Sequence, residues 1–323
     1  MHRLALLVFV GVTVASGSQA WAQSYPIRPV RVIIPFPPGG NVDVFARVLY
    51  KHVEEHLGQT VVIDNRGGAN GIVGSDVVKN AAPDGYTYLN TSFSFAVNPF
   101  VVKNMPFDVV KDFVPVTNVA IGTGYLMVAN PKFEAKTVKE LIELAKQRPG
   151  KIGYSTAGVG NGQHLAGALF CLKAGIDMLH VPYKGGGPAV NAVLGGEVQI
   201  HYPAGSVGVP HVMAGRLRAL AFTGEKRLAS LPDVPTVAEA ALPGFVADAG
   251  WHAVFAPANT PTANMAKFQQ AIHNALQVPQ VRDHFVNNGY EPKGEPPAMW
   301  AAAFRVSLKQ FGEIAKSAKI EPQ

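Results

Sequence analysis

The chain is 323 residues long with only 15% charged residues, and 28 Lys and Arg against 22 Asp and Glu give a formal net charge of +6. The basic residues are scattered, with Lys226-Arg227 the only adjacent basic pair, so no basic stripe of the kind that tracks nucleic acid is present; the surplus charge suits attraction of anionic solutes instead. Cys171 is the only cysteine, the histidines are isolated and no H-E-x-x-H occurs, which excludes an intrachain disulfide and gives no support to a metal centre or any other cofactor.

Residues 1–22 read as a signal peptide. Arg3 supplies the positive start, Leu4 to Val14 form an apolar stretch too short to span a bilayer, and Ala20-Trp21-Ala22 is a small-x-small cleavage site that would leave Gln23 as the first mature residue. The remaining length is comfortable for two cores. Val30–Phe36 reads as a buried strand. A helix over Val42–Leu57 follows, with Val44, Phe45, Val48, Leu49 and Val53 on one side, Asn41 as its N-cap and Asp43 complementing the dipole. Strand Thr60–Asp64, helix Gly71–Asn80 and strand Tyr86–Thr91 continue a βαβα order, which predicts a mainly parallel sheet flanked by helices.

A second α/β run starts near Val114. Its elements are strand Tyr125–Ala129, helix Val138–Gln147, strand Ile152–Tyr154, helix Gln163–Ala174, strand Met178–Pro182, helix Pro188–Leu194, and strands Val198–Tyr202 and Arg218–Thr223. After strand Gly250–Ala256 only helical periodicity remains, in Thr262–Leu276, Gln280–Asn288 and Pro297–Ala318. A helical tail without a sheet of its own must pack on the first domain. The expected organisation is therefore a discontinuous first domain (residues 23–123 plus 250–323) and a second domain (124–249), hinged where the chain crosses twice. Ligands in such folds sit at the carboxyl ends of strands, between the domains.

Three apolar strands run into Gly-rich loops that open helices. The first loop contains Pro37-Pro38-Gly39-Gly40-Asn41-Val42-Asp43, the second Ser155-Thr156-Ala157-Gly158-Val159-Gly160-Asn161-Gly162, and the third Lys184-Gly185-Gly186-Gly187-Pro188. Unpaired N–H groups at the positive end of a helix dipole hold an anion without a charged side chain. The first two loops lie in different predicted domains, so closure brings both onto one carboxylate. His164 and Asn161 are either ligand donors or a core contact and a helix cap. The third loop reads as a tight connection, with Tyr183 facing the cleft. Ser92 follows a strand at its ligand-bearing end and would bond a distal polar group; Phe93 and Phe95 beside it either cover an apolar ligand body or belong to the core.

Phosphate signatures are absent: there is no G-x-x-x-x-G-K-[ST], and Gln163 stands where G-x-G-x-x-G needs its last glycine. Gly153-Tyr154-Ser155-Thr156-Ala157 approaches a G-x-S-x-G elbow, and a secreted serine hydrolase using Ser155 with His201 or His252 is the competing reading. The delayed helix start and the lack of a placed acid weigh against it.

The segments Pro35-Phe36-x-Pro38-Gly39-Gly40-x-x-Asp43, Val62-Ile63-Asp64-Asn65-Arg66-x-Gly68-Ala69-x-Gly71, Ala82-x-Asp84-Gly85-Tyr86-Thr87, Tyr154-Ser155-x-Ala157-Gly158, Val181-Pro182-Tyr183-Lys184-Gly185 and Leu231-Pro232-x-Val234-Pro235-Thr236 resemble the Bug family. These are periplasmic solute receptors of tripartite tricarboxylate transporters. The resemblance spans nearly the whole mature chain. It implies a two-domain periplasmic-binding-protein (Venus-flytrap) fold, no enzymatic activity, and capture of a small organic carboxylate for membrane permease subunits; a stand-alone sensor for a membrane kinase is the alternative partner arrangement. It also implies that Phe36–Asp43 and Thr156–His164 clamp one carboxylate and that Ser92 contacts the rest of the ligand. The expected ligand-binding set is Phe36, Pro38, Gly39, Gly40, Asn41, Asp43, Ser92, Thr156, Ala157, Gly158, Gly160, Asn161, His164, Tyr183 and Tyr202. One departure stands out: where many relatives carry an Asp shortly after the segment matching Val198-Gln199-Ile200, this chain has His201-Tyr202-Pro203. Losing that carboxylate argues against an amino-acid ligand, and Phe93, Phe95, Tyr202 and Trp251 point to an aromatic or otherwise apolar carboxylate; a dicarboxylate is the other ligand class expected.

Overall fold

The computed structural model describes residues 25–317, so the signal-peptide reading and the start at Gln23 lie outside the described residues. Strand β1 (Val30–Ile34) buries all its residues but Arg31, which is half-buried and pairs with Asp64, as suits a central parallel strand. Helix α1 (Asn41–Leu57) buries Val42, Phe45, Ala46, Leu49, Tyr50, Val53 and Leu57, and Gly58 ends it at φ +72° with its N–H on the Glu54 carbonyl. Gly40, not Asn41, is the N-cap; Asn41 is the first helical residue and its side chain is used elsewhere.

The first sheet also contains β2 (Val61–Asn65), β3 (Thr87–Ser92), β4 (Phe113–Gly122), β10 (Gly250–Pro257) and β11 (Tyr290–Pro292). The second contains β5 (Leu126–Ala129), β6 (Gly153–Thr156), β7 (Leu179–Pro182), β8 (Ile200–His201) and β9 (Arg218–Phe222). Their orders are β2-β1-β3-β10-β4-β11 and β7-β6-β8-β5-β9. The second sheet thus repeats the first five places of the first, with the same parallel and antiparallel pairings.

Four of the six strands in the first sheet and four of the five in the second point the same way, as expected, and antiparallel strands set among them make both sheets mixed. β10 runs antiparallel to β3 and β4, and β5 antiparallel to β8 and β9. The reason is directional. Each of these strands arrives straight from the other sheet, on the side where the parallel strands end, and therefore runs away from that side. The two crossings are bonded together: the Ala249 N–H donates to the Gly122 carbonyl (3.1 Å), and Thr223 accepts from the Tyr125 N–H at Oγ1 (2.8 Å) while donating to the Ala247 carbonyl (2.6 Å).

The flanking helices are α2 (Ile72–Lys79), α3 (Ser94–Val101), α4 (Val138–Gln147), α5 (Gly162–Ala174), α6 (Gly186–Gly195), α7 (Gly205–Met213), α8 (Val237–Ala240), α9 (Thr262–Gln277), α10 (Pro279–Asn287) and α11 (Pro297–Ser317). Sequence reasoning passed over α3 and α7, which carry Pro99 and Pro210 inside them, and the three-residue β11. The C-terminal helices pack on the first sheet's side, where Phe268 of α9 stacks on Tyr88 of β3 at 4.1 Å between centroids. Trp300 and Phe304 of α11 join Phe95, Phe255 and Trp251 in a second apolar cluster. Burying each such side chain contributes roughly 1.5–3 kcal/mol. Phe95 and Trp251 are therefore core residues, as is the fully buried Tyr202, which meets Tyr154 edge-on.

Candidate functional site

A cavity of about 580 Å³, part of it open to solvent, lies between the two sheets. Its walls are built from helix starts. Gly40, Asn41 and Val42 come from the start of α1, Phe93 and Ser94 from α3, Asn161, Gly162 and Gln163 from α5, Gly186 from α6 and Ala204 from the cap of α7. The first amides of a helix have no intrahelical acceptor; in α1 the first such bond runs from Val44 N–H to the Gly40 carbonyl (3.0 Å). Each helix start carries about half an elementary positive charge. None of the residues lining this cavity is Asp, Glu, Lys or Arg. The wall is made of peptide dipoles and neutral side chains, a chemistry that suits an anion.

Asn41 is its hub. Its Nδ2 donates to Tyr290 Oη (2.6 Å) and to His252 Nε2 (2.9 Å), and its Oδ1 accepts from Ser206 Oγ on α7 (2.7 Å), linking the first sheet's side to the second's. An amide nitrogen only donates, so His252 Nε2 is the acceptor and the ring is neutral; burial pushes this histidine down to about 3.

The loops are braced from behind. Asp43, buried, accepts from the Gly39 N–H (2.9 Å), Asn65 Nδ2 (3.0 Å) and Arg47 Nε (3.0 Å). Burial works against its ionisation, yet these bonds hold its carboxyl below the usual carboxylate range. In the second loop, Asn161 Oδ1 caps the His164 N–H (2.9 Å) and Gln163 Oε1 accepts from the Ala157 N–H (2.7 Å). His164 Nδ1 accepts from the Gly160 N–H (3.1 Å), and the ring stacks on His180 at 3.9 Å. Burial lowers His164; burial and the His164 neighbour lower His180 to about 4. Thr156 Oγ1 pairs with His180 Nε2 (2.7 Å). The third loop closes on the first: a Cβ on Gly185, at φ +125°, would fall 2.8 Å from the Pro37 ring.

The model of the tripartite tricarboxylate transporter family receptor matches residues 45–313, most of the chain. The chain belongs to this receptor family. It is 38% identical over 297 residues to the protein BugT of Bordetella pertussis, covering 90% of each chain. Among solved structures it superposes on Rpa4515 of R. palustris with adipate at a TM-score of 0.86 with 30% identity, covering 93% of this chain and 100% of that one. It also superposes on MatC of Rhodopseudomonas palustris with bound malate at 0.80 with 28% identity, covering 90% and 100%.

In this receptor the expected site residues fall into three groups. Phe36, Gly40, Asn41, Ser92, Ala157 and Asn161 line the cavity. Gly158 and Tyr183 line an adjoining outer cleft of about 1350 Å³, open to solvent, which also meets Phe36, Asn70 and Ala157. Pro38, Gly39, Asp43, Thr156, Gly160, His164 and Tyr202 line neither space. Pro38 and Gly39 face outward on the loop; Asp43, Thr156, Gly160 and His164 brace the loops, and Tyr202 sits in the core. Of the aromatic set proposed from sequence, only Phe93 reaches the wall.

Sequence reasoning missed Asn70, Ser94, Tyr125, Gln163, Ala249 and the cavity-facing place of His252. Asn70 had a signal: it stands between Gly68 and Gly71 and adopts φ +52°, a left-handed turn that asparagine tolerates. The hydrolase reading meets a chemical obstacle. Ser155 and His201 are both fully buried and line neither the cavity nor the outer cleft; His201 Nδ1 sits 2.9 Å from the Ser155 carbonyl, which can only accept, so this nitrogen carries the proton. It cannot take a proton from Ser155 Oγ, which donates to the Ala189 carbonyl at 2.9 Å. His201 Nε2 has no partner among the described residues, so no acid orients the ring.

Proposed function

We propose that this receptor captures a small organic carboxylate in the periplasm, between a lobe formed by residues 23–123 and 250–323 and a lobe formed by 124–249, and presents it to the permease subunits of a tripartite tricarboxylate transporter without chemically altering it. The observation that carries the reading is the convergence of five helix starts on one cavity that has no charged side chain in its wall. An ammonium would find no carboxylate partner there, which disfavours amino acids. The wall offers neutral hydrogen-bonding groups on Asn41, Asn70, Ser92, Ser94, Asn161, Gln163 and His252, against the rings of Phe36, Phe93 and Tyr125. That balance favours a dicarboxylate over an aromatic acid, and the adipate and malate held by two structural relatives support it.

Gly40→Val tests the site. Gly40 has an ordinary φ of −76°, and an added Cβ would meet only the Pro37 carbonyl oxygen at 3.3 Å, so the free protein stays folded. The branched side chain intrudes where the ligand meets the α1 amides. Whichever of adipate, malate and benzoate stabilises the wild type against heat should fail to stabilise the variant. Stabilisation of the variant equal to that of the wild type refutes the assignment.

A further inference from the structure

Tyr125 stands on the first crossing between the sheets, with its N–H tied to Thr223 and its ring buried. It lines the cavity, and its hydroxyl lies against the first residue of α5: a Cβ on Gly162 would fall 2.1 Å from Tyr125 Oη. The glycine there leaves space that the phenol occupies. Among the described residues that hydroxyl has only the Ala249 carbonyl, at 3.4 Å, well beyond the about 2.7–2.8 Å at which an O–H donor bonds best. Ala249 itself lines the cavity on the second crossing. The phenol is a nearly unspent donor, buried and aimed at a helix start. Burial also raises its pKa well above the ordinary tyrosine value, so it keeps its proton throughout the working pH range.

We infer that Tyr125 is a ligand-binding residue whose hydroxyl donates to the carboxylate lodged at the start of α5. Because the ring rides on one crossing and its resting acceptor on the other, the ligand is tied to the hinge as well as to the loops. The inference rests on the carboxylate reading of the cavity.

The test uses the mature protein and Tyr125→Phe, titrated by calorimetry with adipate, L-malate and benzoate. A hydrogen bond to a charged group predicts that the variant binds the wild type's strongest probe about 10- to 100-fold more weakly. The ligand-free variant should melt close to the wild type, since only a long internal bond is lost. Binding should also shift the near-ultraviolet tyrosine difference spectrum of the wild type, and that shift should be missing from the variant; a residue that merely fills space would leave it in place. Binding by the variant within about twofold of the wild type, or a persisting spectral shift, overturns the role of Tyr125 while leaving the receptor reading intact. Failure of the wild type to bind any of the three probes overturns both.

Discussion

Replacing Asn41 by Asp places a negative charge inside the proposed cradle while keeping the side chain's shape. The carboxylate still accepts from Ser206 Oγ and can accept from Tyr290 Oη, the two partners now at 2.7 and 2.6 Å. At the start of α1 it gains about 0.3–1 kcal/mol from the helix dipole. The neutral His252 ring, whose Nδ1 makes no hydrogen bond among the described residues, can carry its proton on Nε2 and donate to the carboxylate in place of the lost amide donor, so stability should stay near that of the wild type. Ligand binding should not. A bound carboxylate about 5 Å away, at an effective dielectric of about 20, is repelled by about 3 kcal/mol, which weakens binding by two to three orders of magnitude. The measurement belongs at pH 8, where His252, pushed down to about 3 by burial, stays neutral even with a carboxylate beside it. Asn41→Ala is the companion variant. It strands His252, Tyr290 and Ser206, each buried, at about 1–3 kcal/mol apiece, so it lowers stability where Asn41→Asp does not. Calorimetry with adipate or malate and urea unfolding separate the two effects. Unimpaired carboxylate binding by Asn41→Asp would refute the placement of an anion at the α1 amides.

The buried histidines set an acid limit on stability. His201 and His252 are lowered by burial to about 4 and about 3, below the roughly 6.5 of an unfolded chain. Between those values the unfolded state takes up protons that the folded state refuses, so stability is flat above about pH 7 and falls as the pH drops, by up to about 1.4 kcal/mol per unit for each residue. The urea midpoint should decline steadily from pH 7 to pH 5; a constant midpoint would contradict the neutral, buried rings. Ser155→Ala should leave carboxylate affinity within about twofold, at a stability loss of about 1 kcal/mol for the lost bond to the Ala189 carbonyl. Loss of binding, or of an esterase activity present in the wild type, would revive the hydrolase reading.

The two-sheet plan was legible because β1, β2 and β3 are short strands with apolar cores separated by helices of clear period, and α4 starts and stops at Val138–Gln147 as its Thr137 cap and apolar spacing dictate. The loops drew notice through their glycines, whose backbone freedom is a local property. What stayed hidden was tertiary. Asp43 and His164 look like site residues because they are polar and adjacent to glycines, yet they face Arg47, Gly39, Gly160 and His180 behind the loops. Tyr125 and His252 look like ordinary strand residues until the two crossings bring them to one wall. The antiparallel placement of β5 and β10 depends on where the chain re-enters each sheet, which no local pattern encodes.

β10 occupies an interior place in its sheet, between β3 and β4, although it comes last but one among the strands in chain order. During synthesis the early strands therefore wait with an unfilled slot until residues 250–257 appear, whereas β5 to β9 form a continuous stretch that can assemble by itself. Contacts so distant along the chain close slowly. The second sheet is thus built from one uninterrupted stretch of chain, whereas the first is closed only when the chain returns to it.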